Sequence, residues 1–125
     1  MPLVRISTMK QTNEFKKALS NIVYKTIVQT MNAPEHDNFQ VISEHDETSL
    51  VYDQEYLGIE RSSGIIIIQI TLNEGRTLET KQAFFRQLAS RLHDELAVRK
   101  EDVFINLVEV KKENWSFGNG IAQYA

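Results

Sequence analysis

The chain has 125 residues, 42% hydrophobic and 25% charged, the make-up of one globular domain long enough to bury a real core. Its net charge of −3 argues against nucleic-acid binding, and no apolar run approaches the roughly 20 residues of a membrane span. No cysteine is present, which excludes disulfides and thiolate chemistry, and the three histidines lack metal-ligand spacing.

In chain order, the first stretch carries the sharpest chemistry. Met1-Pro2-Leu3-Val4-Arg5-Ile6 reads as a short strand opened by a proline. Proline is tolerated at the first position of a strand because its missing N–H costs least there. It also has a second reading. Trimming of Met1 would leave Pro2 with a free secondary amine, held rigid by its ring. An α-amino group titrates near ~8, and desolvation or a nearby cation lowers it toward the range a general base needs. The start lacks the charged-then-apolar layout of a signal peptide, so a cytoplasmic protein is expected.

Asn13 is a candidate cap for a helix over Asn13–Met31, in which Phe15, Leu19, Ile22, Val23, Ile27 and Met31 recur at steps of three and four. Pro34 lies just beyond its end. Phe39, Val41 and Ile42 form the next strand. Leu50–Tyr52 and Tyr56–Ile59 read as short strands or an extended excursion, punctuated by Gly58 and Ser62-Ser63-Gly64. Ile65–Ile70 is a continuous β-branched run, the pattern of a strand covered on both faces. Asn73-Glu74-Gly75-Arg76 is a turn, and Thr77 is a plausible cap with Thr80 at N3. The second helix carries Ala83, Phe84, Leu88, Leu92 and Leu96. Val103–Val110 is the last strand, and Trp115-Ser116-Phe117-Gly118 lies in the tail.

An offset of 65 lays the chain on itself. It pairs Asp37 with Asp102, Phe39 with Phe104, Leu19 with Phe84, Val23 with Leu88 and Ile27 with Leu92. The expected fold is therefore a single α/β (α+β) domain over 1–125. Two β-α-β repeats, about 2–45 and 64–110, form a four-stranded sheet with two helices on one face, plus short extra strands. The other sheet face needs a cover, which a two-layer domain usually finds by oligomerising.

A β-α-β repeat behind Met-Pro resembles the tautomerase superfamily, whose members use an amino-terminal proline as catalytic group. Further stretches are similar to its malonate semialdehyde decarboxylase branch. These are Pro34-Glu35-His36-Asp37-Asn38-Phe39-Gln40-Val41, Gly58-Ile59-Glu60-Arg61-Ser62, Glu79-Thr80-Lys81-Gln82-Ala83-Phe84-Phe85 and Trp115-Ser116-Phe117-Gly118. The resemblance implies Pro2 as catalytic proline, Asp37 as carboxylate partner and Arg76 as a substrate-binding arginine. Glu74 departs from the branch, whose decarboxylase has a second arginine there to grip a substrate carboxylate.

Each residue also has a structural alternative. Arg76 is either a carboxylate anchor or a solvated loop residue. Asp37 either activates water or orients substrate, or, like Asp102, satisfies backbone N–H groups at a strand entry. Trp115 and Phe117 either close the core or wall a substrate site, where an apolar surround would keep an amine neutral. The reading favoured is a homotrimeric enzyme without metal or organic cofactor. In it Pro2 enolises a small 2-oxo acid whose carboxylate Arg76 holds. Decarboxylation or hydration of a 3-oxo acid, and a non-catalytic oligomeric scaffold, stay open.

Overall fold

The computed structural model describes residues 2–125. Met1, whose expected removal bears on Pro2, lies outside the described residues. The chain runs β1 (Leu3–Met9), α1 (Asn13–Met31), β2 (Phe39–His45), β3 (Ile66–Asn73), α2 (Leu78–Leu96) and β4 (Val103–Val110). The four strands form one sheet in the order β2-β1-β3-β4. Each half is a parallel pair joined by its helix, and the halves meet where β1 lies antiparallel to β3. Alternate residues of the central strands (Val4, Ile6, Ile66, Ile68, Ile70 and Leu72) turn toward the helices and are buried. There they meet Leu19, Val23 and Ile27 of α1 and Phe84, Leu88 and Leu92 of α2 in one core. No helix among the described residues is long and apolar enough to cross a membrane.

The expected repeat extends to details of capping and pairing. Thr12 accepts from the Phe15 N–H at the start of α1, and Thr77 accepts from the Thr80 N–H at the start of α2. The first cap is thus Thr12 and not Asn13, because the residue with extended backbone is the one able to fold its side chain over the first turn. Both helices end on a left-handed residue, Asn32 and Ala97, each at φ 55°. Lys16 pairs with Glu44 at 3.3 Å, and its repeat mate Lys81 pairs with Glu109 at 2.8 Å.

Two expectations change. Among the described residues no strand forms between His45 and Ile66. Leu57 and Gly58 take φ of 62° and 71°, which breaks any extended run. The carbonyls of Asp53, Tyr56 and Ile59 converge on Arg61 Nη1, which curls the segment instead of extending it. The β-branched run of β3 is also covered on one face only. Ile66 and Ile68 are buried, whereas Ile67 is half-buried and Gln69 exposed. Phe39, Val41, Phe104 and Val108 remain 37–55% exposed. The register sets Ile67 beside Phe104 and Thr71 beside Val108, so these residues share the sheet face that carries no helix.

The second repeat also supplies the structural role considered for its aspartate. Asp102 is 2% exposed and accepts from the Ser62 N–H at 2.7 Å and the Ser62 hydroxyl at 2.6 Å. Asp102→Ala would leave both donors unpaired next to the core. It is expected to lower unfolding free energy by about 1–3 kcal/mol in urea titration.

Candidate active site

The topology gathers chemistry at one end of the sheet. β1 begins there, β2 begins there because it runs parallel to β1, and β3 ends there because it runs antiparallel. Leu3 stands opposite Phe39 on one side and Thr71 on the other. Pro2 thus lies at the corner where Asp37 enters β2 and where Asn73 closes β3. β4 also ends here, with Val110 opposite Asn73. The Glu74 N–H donates to the Val110 carbonyl at 2.9 Å, which fixes the turn that carries Arg76. Trp115 follows a short 3₁₀ turn at Lys112–Asn114. The expected residues Pro2, Asp37, Arg76 and Trp115, with Phe117 behind it, therefore sit on chain segments that converge at one end.

Pro2 and Asp37 are both buried. Burial pushes the Asp37 carboxyl above the usual aspartate range, and the positive charge of the chain's amino terminus works against that shift. Its repeat mate Asp102 shows what differs between the halves. Asp102 spends its carboxylate on Ser62, a residue that precedes β3. Asp37 instead feels the charge of the amino terminus. A buried carboxylate near an amine stabilises the protonated form of that amine. This is useful to a base once it has taken a proton.

Arg76 is not a solvated loop residue. Its Nε and Nη2 donate to the Met31 carbonyl at 3.3 and 3.2 Å, and its Nη1 donates to the Asn73 carbonyl at 3.1 Å. The last turn of α1 has no basic residue of its own, so Arg76 supplies the missing cation from 45 positions away. A guanidinium has five N–H groups. Three find carbonyls, and the other two have no partner among the described residues. The side chain is therefore both a tether and an anchor with donors to spare. Lysine has no fork with which to bridge Met31 and Asn73. Arg76→Lys is expected to lower the urea midpoint by the equivalent of about 1–2 kcal/mol, independently of any effect on substrate.

The aromatic residues form a small wall. Trp115 and Phe117 stack at 5.4 Å between centroids, 13° apart in plane. Tyr124 meets Phe117 edge-on at 5.2 Å. Trp115 is half-buried and Phe117 is 36% exposed, so neither closes the core. A concavity of about 510 Å³ lined by Glu74, Lys111, Lys112, Glu113, Tyr124 and Ala125 opens beside them. Glu74 thus lies on the same surface as the end of the aromatic wall.

Two residues of this corner escape sequence reasoning. Tyr124 has no repeat mate and no motif. Asn73 reads only as a turn residue, yet its carbonyl holds Arg76 and its side-chain Oδ1 accepts from Trp115 Nε1 at 2.7 Å. A lone tryptophan half-buried in a polar corner needs a partner for its N–H, and that need was the one available signal.

Two family models described as tautomerase enzyme match the chain, over residues 2–59 and 37–118. A probable tautomerase of Bacillus subtilis (strain 168), YusQ, is 44% identical over 98% of this chain and 98% of its own. The structure of FG41 malonate semialdehyde decarboxylase inhibited by 3-bromopropiolate superposes with a TM-score of 0.91. It is 34% identical and covers 98% of this chain and 93% of that one. A fused 4-OT protein, a wild-type symmetric trimer, superposes at 0.79 with 22% identity over 98% and 97%, a likeness of fold.

Proposed function

The chain belongs to the tautomerase family, and from that premise we propose that it enolises a small 2-oxo acid with the amine of Pro2 as general base. The observation that carries this reading is the convergence of a buried Pro2, the buried carboxylate of Asp37 and the tethered guanidinium of Arg76 at one sheet end. In this reading methionine trimming exposes the Pro2 amine. The substrate carboxylate takes the two spare N–H groups of Arg76. The amine removes a proton from the carbon next to the carbonyl. The C–H pair becomes a C=C bond, and the carbonyl π pair moves to oxygen. The protonated amine, with Asp37 near it, then returns its proton to that oxygen to give the enol. Trp115 and Phe117 supply an apolar wall at this corner, and such a surround keeps the resting amine neutral. Three copies assemble through the uncovered sheet faces; the fused 4-OT neighbour of the same fold is itself a trimer.

Decarboxylation of a 3-oxo acid is the second reading, favoured by the 34% identity to FG41 malonate semialdehyde decarboxylase. Glu74 sets the two readings apart. A 3-oxo carboxylate has to be held with its C–C bond turned out of the carbonyl plane, which calls for a grip by more than one cation. Glu74 places a negative charge two residues before Arg76. The test is to assay phenylpyruvate enolisation and malonate semialdehyde decarboxylation side by side, in the wild type and in Glu74→Arg. Enolisation should dominate in the wild type. Glu74→Arg should raise decarboxylation by roughly tenfold, the equivalent of one hydrogen bond to a charged group, and change enolisation less. Strong wild-type decarboxylation untouched by Glu74→Arg would reverse the ranking.

A further inference from the structure

Enolisation places new charge on the substrate's carbonyl oxygen while the Pro2 amine is still engaged at the neighbouring carbon and the spare N–H groups of Arg76 are taken by the carboxylate. Resting on the proposed reading, we infer that Asn73 is a catalytic residue whose side-chain amide N–H donates to that oxygen, and that Trp115 sets its orientation. The residue sits at the end of β3, on the strand next to the one that Pro2 opens, and its own carbonyl holds Arg76 Nη1 at 3.1 Å. Leu72 turns into the core, so the alternation of the strand puts Asn73 on the side away from the helices.

The orientation of an amide is fixed only by its partners. Here the partner is an indole N–H, which can only donate. Trp115 Nε1 lies 2.7 Å from Asn73 Oδ1, so the oxygen end is committed to the tryptophan. The Nδ2 end, with its two N–H groups, has no partner among the described residues. A half-buried amide with one end locked and the other unspent is a preorganised donor, the arrangement that stabilises developing negative charge without reorganisation. The aromatic wall thereby acquires a second task, which is to aim the amide.

The test uses Asn73→Asp and Asn73→Ala in the processed full-length protein. The aspartate is isosteric and keeps the oxygen that accepts from Trp115, but it replaces the N–H donor; alanine removes both. Trp115 is the only tryptophan, so its emission and acrylamide quenching report the tether directly. Asn73→Asp should keep wild-type quenching, whereas Asn73→Ala should make Trp115 more quenchable. Both should lower kcat for phenylpyruvate on the order of 10²-fold, the usual loss for one oxyanion donor. Both should also weaken binding of phenylglyoxylate, a 2-oxo acid with no proton to abstract, read by Trp115 emission. Wild-type kcat and phenylglyoxylate affinity in Asn73→Ala would overturn the assignment, including the case where only Asn73→Asp is impaired through its charge. The binding arm needs no turnover. Should the wild type bind phenylglyoxylate yet fail to enolise phenylpyruvate, the base chemistry falls while the Asn73 contact stands or fails on its own affinities.

Discussion

Pro2→Ala is expected to lower kcat on phenylpyruvate by at least about a hundredfold, the low end of what a positioned general base contributes. The substitution leaves an α-amine of ordinary basicity, so the loss measures position rather than proton affinity. Proline's ring fixes φ and leaves its nitrogen no side chain to rotate about, whereas an alanine amine samples several orientations before it meets the substrate. The fold should be unaffected, because the residue precedes β1 and its backbone joins no ladder pairing. Circular dichroism and melting of the two proteins should therefore overlay. A sample shown by intact mass to retain Met1 should have no activity, since an amide nitrogen is not a base. Full turnover in either protein would remove Pro2 from the mechanism.

The second large effect concerns the uncovered sheet face. Phe39 is 55% exposed and Phe104 46%, and they are repeat mates on the two outer strands. Burying such a ring contributes roughly 1.5–3 kcal/mol, and a closed assembly would gain that at each copy. Phe39→Glu combined with Phe104→Glu should abolish assembly altogether. Light scattering should report a mass near 14.4 kDa in place of three times that value. Activity should fall with it if neighbouring copies complete the cavity. A wild type that stays monomeric across micromolar concentrations would refute the assembly outright.

Much of this was legible in the sequence, and the reasons are physical. The helix α1 was found at Asn13–Met31 because a buried stripe recurs with the helical period and leaves little freedom for the ends. The offset of 65 foretold equivalent places for Asp37 and Asp102, and both are buried. It could not foretell their different partners, because Ser62 lies 40 positions before Asp102 and only the sheet brings the two together. The segment 46–65 reads as short strands or an extended excursion because Leu50, Val51, Tyr56 and Ile59 are apolar, whereas Arg61 gathers three carbonyls and curls the chain. Arg76 was located but half understood. Its grip on Met31 crosses the domain, and no local pattern records a contact over that span.

The antiparallel contact of β1 with β3 has a consequence for how the chain comes together. Each β-α-β half closes its own parallel pair, and the halves meet chiefly through that central ladder, the packed faces of α1 and α2, and the grip of Arg76 on Met31. The link between them, 46–65, is largely exposed and contributes no strand. Such a molecule has the layout of two interlocking modules made from one template. It is suited to being cut in the link and restored by mixing, and each module needs the other mainly to cover its greasy edge. The working corner is spared no part of that division. Pro2 and Asp37 come from one module, Asn73 and Arg76 from the other, so the proposed catalytic unit exists only after the two have met.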